Sequence, residues 1–328
     1  MSLIQPTPST LHNLSSAPQT VLITGSSSGI GLATATLLSS LNPSHNLILL
    51  DKQPPPPTFT HAPAHLLFHA CDITSWTAQL AGFAAGYTRF GAINAVFVNA
   101  GIAEYADQFF TDTLDAEGKL AEPDRRTIKV DVDAAADTTK LAIHYLRKNN
   151  NSNSGGGGGI KQAGGGGGGS IILTASLAGY LASAGAPLYS AAKHAIVGLM
   201  RALKQECIKL DIAISVVAPA ITVTPILVQN NTGSITPSSH ATALAKAGVP
   251  INKPESVALA VCWLLDQGIK ANGMGILVQA DTFVDVEAGL AKSREAWMGK
   301  EMVDLFRGGR GASMFKRLEE GEGVKAKI

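Results

Sequence analysis

Thr20–Leu41 reads TVLITGSSSGIGLATATLLSSL. It begins as a short apolar run, the pattern of a strand buried on both faces. From Gly29 it continues with helical periodicity. Between the two lies TGSSSGIG, which sets Gly25, Gly29 and Gly31 in a strand-to-helix turn. There Gly25 permits a tight reversal, Gly29 lets backbone approach a phosphate, and Gly31 lets the helix pack close on the strand. The helix N-terminus then points free N–H groups and partial positive charge outward. The stretch therefore opens a β–α unit suited to a pyrophosphate.

The same alternation continues down the chain. NLILLD, HLLFHACD, INAVFVNAG, SIILTAS, IAISVVAP and GMGILVQA supply six more apolar runs. Helical patterns separate them: about Thr74 to Phe90, RRTIKVDVDAAADTTKLAIHYLRK, the helix holding Tyr189 and Lys193, and PESVALAVCWLLD. Continuous apolar strands alternating with helices predict a single α/β domain. Its sheet is expected to be doubly wound, Rossmann-type, parallel and seven-stranded, with helices on both faces. The predicted layout is a flexible arm over 1–19, rich in Pro, Ser and Thr, then the domain over 20–287 and an extension over 288–328. A glycine-rich insertion over 149–169 has too few side chains to pack and is expected to be a flexible loop. It enters at the start of the fifth strand, opposite the face where such sheets bind ligands. QPPPPTF, after the second strand, is expected to be an extended loop.

Composition narrows the function classes. The chain has 328 residues, 45% hydrophobic and 16% charged, with a formal net charge of +1. That balance gives no reason to expect nucleic acid or an acidic membrane as partner. No run of 18 apolar residues suggests a membrane span, and the N-terminus lacks the pattern of a secretory signal. Cys71, Cys207 and Cys262 are scattered and suggest neither disulfides nor a metal site. A reducing, cytoplasmic setting is the expectation.

Asp51 closes the second strand, 20 residues after Gly31. A carboxylate there can accept from both hydroxyls of a ribose and repel a 2′-phosphate, which predicts NAD rather than NADP. Lys52 beside it could instead meet that phosphate. Asp72, ending the third strand, is either an acceptor for an adenine amino group or a residue of a helix N-cap region.

On these motifs the chain resembles the short-chain dehydrogenase/reductase family. TGSSSGIG is similar to its TGxxxGxG loop, and NAG at Asn99–Gly101 to the tail of its NNAG motif, with Val98 for the first asparagine. SIILTASLAG resembles the strand bearing the family's serine, and Ser176 lies 13 residues before Tyr189. YSAAK, Tyr189 to Lys193, matches YxxxK, and PAITVT at Pro219–Thr224 resembles PGxxxT with Ala220 for glycine. The motifs follow the family's order from about Thr20 to Glu287.

The resemblance implies hydride transfer between a nicotinamide and a secondary alcohol or ketone. Tyr189 would be the acid/base, Lys193 its activator and Ser176 the donor to the substrate oxygen. Tyrosine and lysine four apart share a helix face, and an ammonium beside a phenol favours the phenolate. A hydroxyl at Ser176 would hold the oxygen on which charge develops. Ser27, Ser28 and Ile30 in the loop, Asn99, Ala100 and Gly101, and Pro219, Thr222 and Thr224 would complete the cofactor site, which shares Tyr189 and Lys193 with the chemistry, Lys193 by bonding the nicotinamide ribose. Asn99 is expected to fix backbone there. Thr224 either bonds the nicotinamide carboxamide or begins a loop. His194 should point about 100° away from Lys193 around the helix and is read as a packing residue.

One departure is chemical. The family's helix before the serine strand usually carries an asparagine that holds a relay water, and IKVDVDAAA places Asp131 there. The loop ITVTPILVQNNTGSITPSSHATALAKAGVP reads as a mobile apolar lid carrying Ile226, Leu227 and Val228. Trp297, Met298, Met302, Leu305 and Phe306 share helical spacing in the tail and are expected to pack on the domain or on a second subunit. The resemblance implies a homodimer or homotetramer. The competing readings are an NADP-linked carbonyl reductase and a dinucleotide-binding sensor or scaffold without turnover.

Overall fold

Each of the seven apolar runs becomes a parallel strand in the computed structural model, which describes residues 3–152, 168–229 and 235–309. The elements begin with β1 (Leu3–Ile4), α1 (His12–Ser16), β2 (Thr20–Thr24), α2 (Gly29–Leu41), β3 (Asn46–Asp51), β4 (Leu66–Ala70), α3 (Trp76–Phe90) and β5 (Ala95–Val98). A helix follows in three parts: α4 (Arg126–Ile128), a π-helical turn over Lys129–Ala134, and α5 (Ala135–Ser152). Then come β6 (Gly169–Thr174), α6 (Pro187–Lys209), β7 (Ile212–Pro219), α7 (Pro237–Lys246), α8 (Pro254–Gln267), β8 (Gly275–Gln279) and β9 (Thr282–Asp285). The sheet order is β1-β9-β8-β7-β6-β5-β2-β3-β4, with β9 antiparallel to β8 and β1 antiparallel to β9. The sheet is thus doubly wound as expected, with two short antiparallel strands added to the seven parallel ones.

Strand alternation builds two cores. Leu22, Ile48 and Leu50 face the layer of α3, α5 and α6, with Phe83, Tyr145 and Ile196. Val21, Ile23, Leu47 and Leu49 face the layer of α2 and α8, with Leu38 and Val261. Period-two burial on both sides explains why these strands read as unbroken apolar runs.

The N-terminal stretch departs from the flexible arm that its composition suggested. Leu11 and Leu14 are fully buried in the second core. Asp266 on α8 holds the stretch down: its carboxylate Oδ1 accepts from Leu14 N–H at 2.9 Å, and its backbone carbonyl accepts from Asn13 Nδ2 at 2.9 Å. Two buried leucines, with these bonds and the pairing of β1 to β9, anchor an otherwise polar segment. Of the glycine-rich segment, 153–167 lie outside the described residues. Its predicted start at Asn149 is still helical, because α5 runs on to Ser152.

The chain divides into two compact units, Met1–Val286 and Glu287–Ile328. α9 (Val286–Lys292) begins at the last residue of the first; the second also holds α10 (Arg294–Met298) and α11 (Lys300–Gly309), so the residues of the predicted helical spacing fall on two helices, Trp297 and Met298 on α10 and Met302, Leu305 and Phe306 on α11. Gly299, at φ +78°, turns the chain between α10 and α11. Trp297, Met302, Leu305 and Phe306 are exposed. Among the described residues no helix is long and apolar enough to cross a membrane.

Candidate active site

The site forms where the strand order reverses. β2 pairs with β3 on one side and β5 on the other, so their carboxyl ends open a crevice. Gly25 turns there at φ +65°, and a Cβ would lie 2.8 Å from Ala100 Cα. A Cβ on Gly31 would overlap the Gly25 carbonyl oxygen. Both positions need glycine because backbone meets backbone. Asn99 locks the crevice: its Nδ2 donates to the Thr24 and Gly25 carbonyls, each at 3.1 Å, and its Oδ1 accepts from Thr174 Oγ1 at 3.2 Å. That side chain ties the carboxyl ends of β2, β5 and β6 together. Ser28, the N-cap residue of α2, makes no side-chain cap, which leaves the first N–H groups of the helix facing the crevice.

At one end stands Asp51. Its Oδ2 accepts from Ser27 N–H at 2.9 Å and its Oδ1 from Gln53 N–H at 3.4 Å. Lys52 is held 2.9 Å from Asp72 Oδ2. Asp72 Oδ1 accepts from Thr74 N–H at 2.9 Å and from its hydroxyl at 2.8 Å. The backbone bond from Thr74, helped by Lys52, holds the Asp72 carboxyl down to about 2. Asp72 thus organises the turn before α3, whose N-cap is Ser75, and it also lines the crevice.

At the other end lies the cluster of Tyr189, Lys193, Asp131 and Ser176. Tyr189 and Lys193 share one face of α6, with Lys193 Nζ 5.3 Å from the centre of the Tyr189 ring. Lys193 is 4% exposed, and its Nζ donates to Thr174 O at 3.2 Å. Asp131, on the π-helical turn, is buried and reaches Lys193 directly: Oδ2 stands 2.9 Å from Nζ, while Oδ1 accepts from Ile102 N–H at 2.9 Å. π-turns commonly carry functional side chains because the extra residue re-aims them. Burial pulls the Lys193 ammonium down, but the Asp131 carboxylate and Tyr189 offset it, and the result is raised above the ordinary lysine value. Ser176 ends β6. Its hydroxyl donates to Pro219 O at 3.3 Å and accepts from Ala178 N–H at 3.2 Å. His194 is exposed, with Nδ1 bonded to Ser190 O, and does not line the crevice.

A single cavity of about 1080 Å³ joins the two ends. Gly25, Ser28, Gly29, Ile30, Asn99, Ala100 and Gly101 line it, as do Pro219, Thr222 and Thr224 beyond β7. So do Asp51, Asp72, Ser176, Tyr189 and Lys193. Of the residues predicted for catalysis or cofactor binding, Ser27 and Asp131 do not line the cavity but hold residues that do, Ser27 N–H bonding Asp51 and Asp131 pairing with Lys193. Thr222 is held by Asn252, whose Nδ2 reaches Thr222 Oγ1 at 3.4 Å and Val278 O at 2.8 Å. Ile226 and Leu227 line the mouth, with Leu181, Val249 and Pro250. The predicted lid contains a 3₁₀ turn over Pro225–Val228 and the helix α7; 230–234 lie outside the described residues.

Sequence reading missed two polar residues of this wall. Gln229 Oε1 accepts from Ala103 N–H at 3.0 Å, and its amide nitrogen meets the Tyr105 hydroxyl. Glu104 is 7% exposed, and its Oε2 accepts from Tyr189 N–H at 2.9 Å. Neither sits in a periodic pattern or a motif, and the only local hint was an acid three residues after NAG.

Comparison with known proteins agrees with this geometry. Residues 19–234 match the family model described as short chain dehydrogenase. The short-chain dehydrogenase/reductase prx4 of Penicillium rubens is 32% identical over 302 residues, covering 87% of this chain and 82% of that protein. The 5′-hydroxyaverantin dehydrogenase of Dothistroma septosporum is 28% identical over 222 residues, covering 64% of this chain and 69% of that protein. Among solved structures, levodione reductase superimposes with a TM-score of 0.61 at 22% identity, over 80% of this chain and 96% of that one.

Proposed function

The chain belongs to the short-chain dehydrogenase family, whose members act on CH–OH groups, and from that premise we propose that it oxidises a neutral, lipophilic secondary alcohol with NAD. The observation that carries the reading is the meeting of Ser176, Tyr189 and Lys193 with the glycine turn and Asp51 in one cavity. The crevice fits a dinucleotide: glycine backbone and the α2 N-terminus face it where a pyrophosphate would lie, and Asp51 stands where a ribose would end. When bound, the nicotinamide accepts the hydride. Tyr189 takes the alcohol proton, Lys193 holds positive charge beside it, and the Ser176 hydroxyl turns from Pro219 to hold the substrate oxygen.

Charge supports both the cofactor and the substrate class. Among the described residues that line the cavity, the lysines are Lys52 and Lys193, and each faces an aspartate at 2.9 Å. Both cations already have a carboxylate partner, Lys193 in a buried pair and Lys52 in an exposed one, which favours NAD and a neutral substrate. Glu104 adds a carboxylate and Gln229 an amide to the substrate wall, and Leu181, Ile226, Leu227, Val249 and Pro250 give it apolar surface. A relative named for the dehydrogenation of 5′-hydroxyaverantin fits the oxidative direction.

The test is NADH formation with a panel of secondary alcohols, each neutral member matched to a carboxylate-bearing analogue, run with NAD and with NADP. Neutral alcohols with NAD are expected to lead each comparison by at least ~10-fold in kcat/KM, since like charge in a desolvated site costs over a kcal/mol. A clear NADP preference sinks the cofactor reading, and faster turnover of the acids sinks the substrate class.

A further inference from the structure

Helix α6 carries the tyrosine and lysine of the site, yet its own sequence does not cap it. Its N-cap residue is Ala186, which has no side-chain acceptor; Pro187 occupies the first position, and the first turn holds no acid. Tyr189 is the third residue of the helix, so its N–H lies beyond the reach of the intrahelical ladder. Such a donor is normally met by a Ser, Thr, Asp or Asn side chain at the N-cap.

Here the acceptor comes from 85 residues away in the chain. Glu104 Oε2 accepts from Tyr189 N–H at 2.9 Å, and a carboxylate at that helix end also complements the positive end of the dipole. Glu104 closes a short segment running from the end of NAG. Within it Ile102 N–H donates to Asp131 Oδ1 at 2.9 Å, and Ala103 N–H donates to Gln229 Oε1 at 3.0 Å. Ala103 O accepts from Thr127 Oγ1 at 3.4 Å, which fastens the segment to α4. Three successive residues thus hold the partner of Lys193, the loop after β7 and the backbone of Tyr189.

We propose that Glu104 is a positioning residue for the reaction: it caps α6 from another part of the fold and so fixes where the Tyr189 hydroxyl stands. The assignment rests on the reading of Tyr189 as the proton-handling group. Glu104 bonds the backbone N–H of Tyr189. Its loss therefore displaces the phenol while leaving the glycine turn and Asp51, at the other end of the cavity, in place.

Glu104→Ala and Glu104→Gln separate this from a general structural effect. The alanine variant is expected to lose ~10- to 100-fold in kcat, the scale of a small misplacement of a reacting group, with KM for NAD kept within about twofold. The glutamine variant keeps an acceptor oxygen and is expected to return to within about threefold of wild type. Amide exchange provides a readout that needs no substrate. In Glu104→Ala the Tyr189 amide should exchange at least ~10-fold faster, while Ile214 and Val216 in the buried strand β7 stay protected and show that the fold is intact. Unchanged exchange at Tyr189 overturns the cap, even if wild type turns over no alcohol and the functional reading has failed. Wild-type kcat in Glu104→Ala, or a glutamine variant as slow as alanine, overturns the positioning role.

Discussion

The two ends of the cavity are built from different materials. The proposed nucleotide end is mostly backbone, a glycine turn and a helix N-terminus, with the side chains of Asp51, Asp72 and Asn99 around them. The chemical end is mostly side chains, brought together from Glu104, Asp131, Ser176 and the Tyr189–Lys193 helix. The first is specified by conformations that only certain residues adopt, so it is written locally. The second depends on burial and pairing, and no short stretch of sequence contains it.

The comparison predicts where damage should fall. Lys193→Met should be the most severe change at the chemical end, lowering kcat by about 10³-fold, the range of lost acid–base assistance. It also leaves Asp131 buried without its cation, which should cost about 3 kcal/mol or more of stability by denaturant titration. NAD affinity by calorimetry should change far less than kcat; a parallel collapse of both would erase the distinction between the ends. Asp51→Ala addresses the other end. It should raise the NADP-to-NAD ratio of kcat/KM by ~10- to 100-fold, as a like charge is removed from the ribose site, with kcat for NAD nearly kept.

Asp131→Asn should have a middling effect, about tenfold in kcat/KM, and a diagnostic pH signature. Asp131 helps to hold the Lys193 ammonium above its ordinary value against the pull of burial. Without that carboxylate burial is less opposed, so Lys193 loses its proton at lower pH. The alkaline limb of the pH–rate profile should therefore move downward. The sign for stability is the same: the pair contributes below the ordinary lysine pKa and is lost as pH rises through the raised value, so the variant should lose stability at lower pH than wild type. An unchanged profile would remove Asp131 from the proton-handling unit. Lys52→Ala should matter least. Its ion pair with Asp72 is largely exposed, and NAD turnover should stay within about threefold of wild type.

The same contrast explains what was legible in the sequence. The seven parallel strands were, because burial on both faces leaves an unbroken apolar run. Strand β1 has two residues and cannot show a period, and β9, TFVD, carries only two apolar residues between polar ends. The N-terminal stretch looked polar because the apolar residues that anchor it, Leu11 and Leu14 chief among them, are few. Within the site, the glycine turn, Asp51 and the Tyr189–Lys193 pair followed from local patterns. The position of Asp131 was legible by its place in the helix, but its direct ion pair depends on a π-helical turn that residue types do not announce. Glu104 was invisible because its partner is 85 residues distant.

The central claim is that Tyr189 handles the proton while the glycine turn and Asp51 hold the cofactor. Tyr189→Phe tests it most directly, measured for NAD binding by calorimetry and for NADH formation with the best alcohol of the panel. Binding is expected within about threefold of wild type and turnover lowered by at least ~10³-fold, since only the acid–base group is removed. A phenylalanine variant that turns over at the wild-type rate would contradict the account.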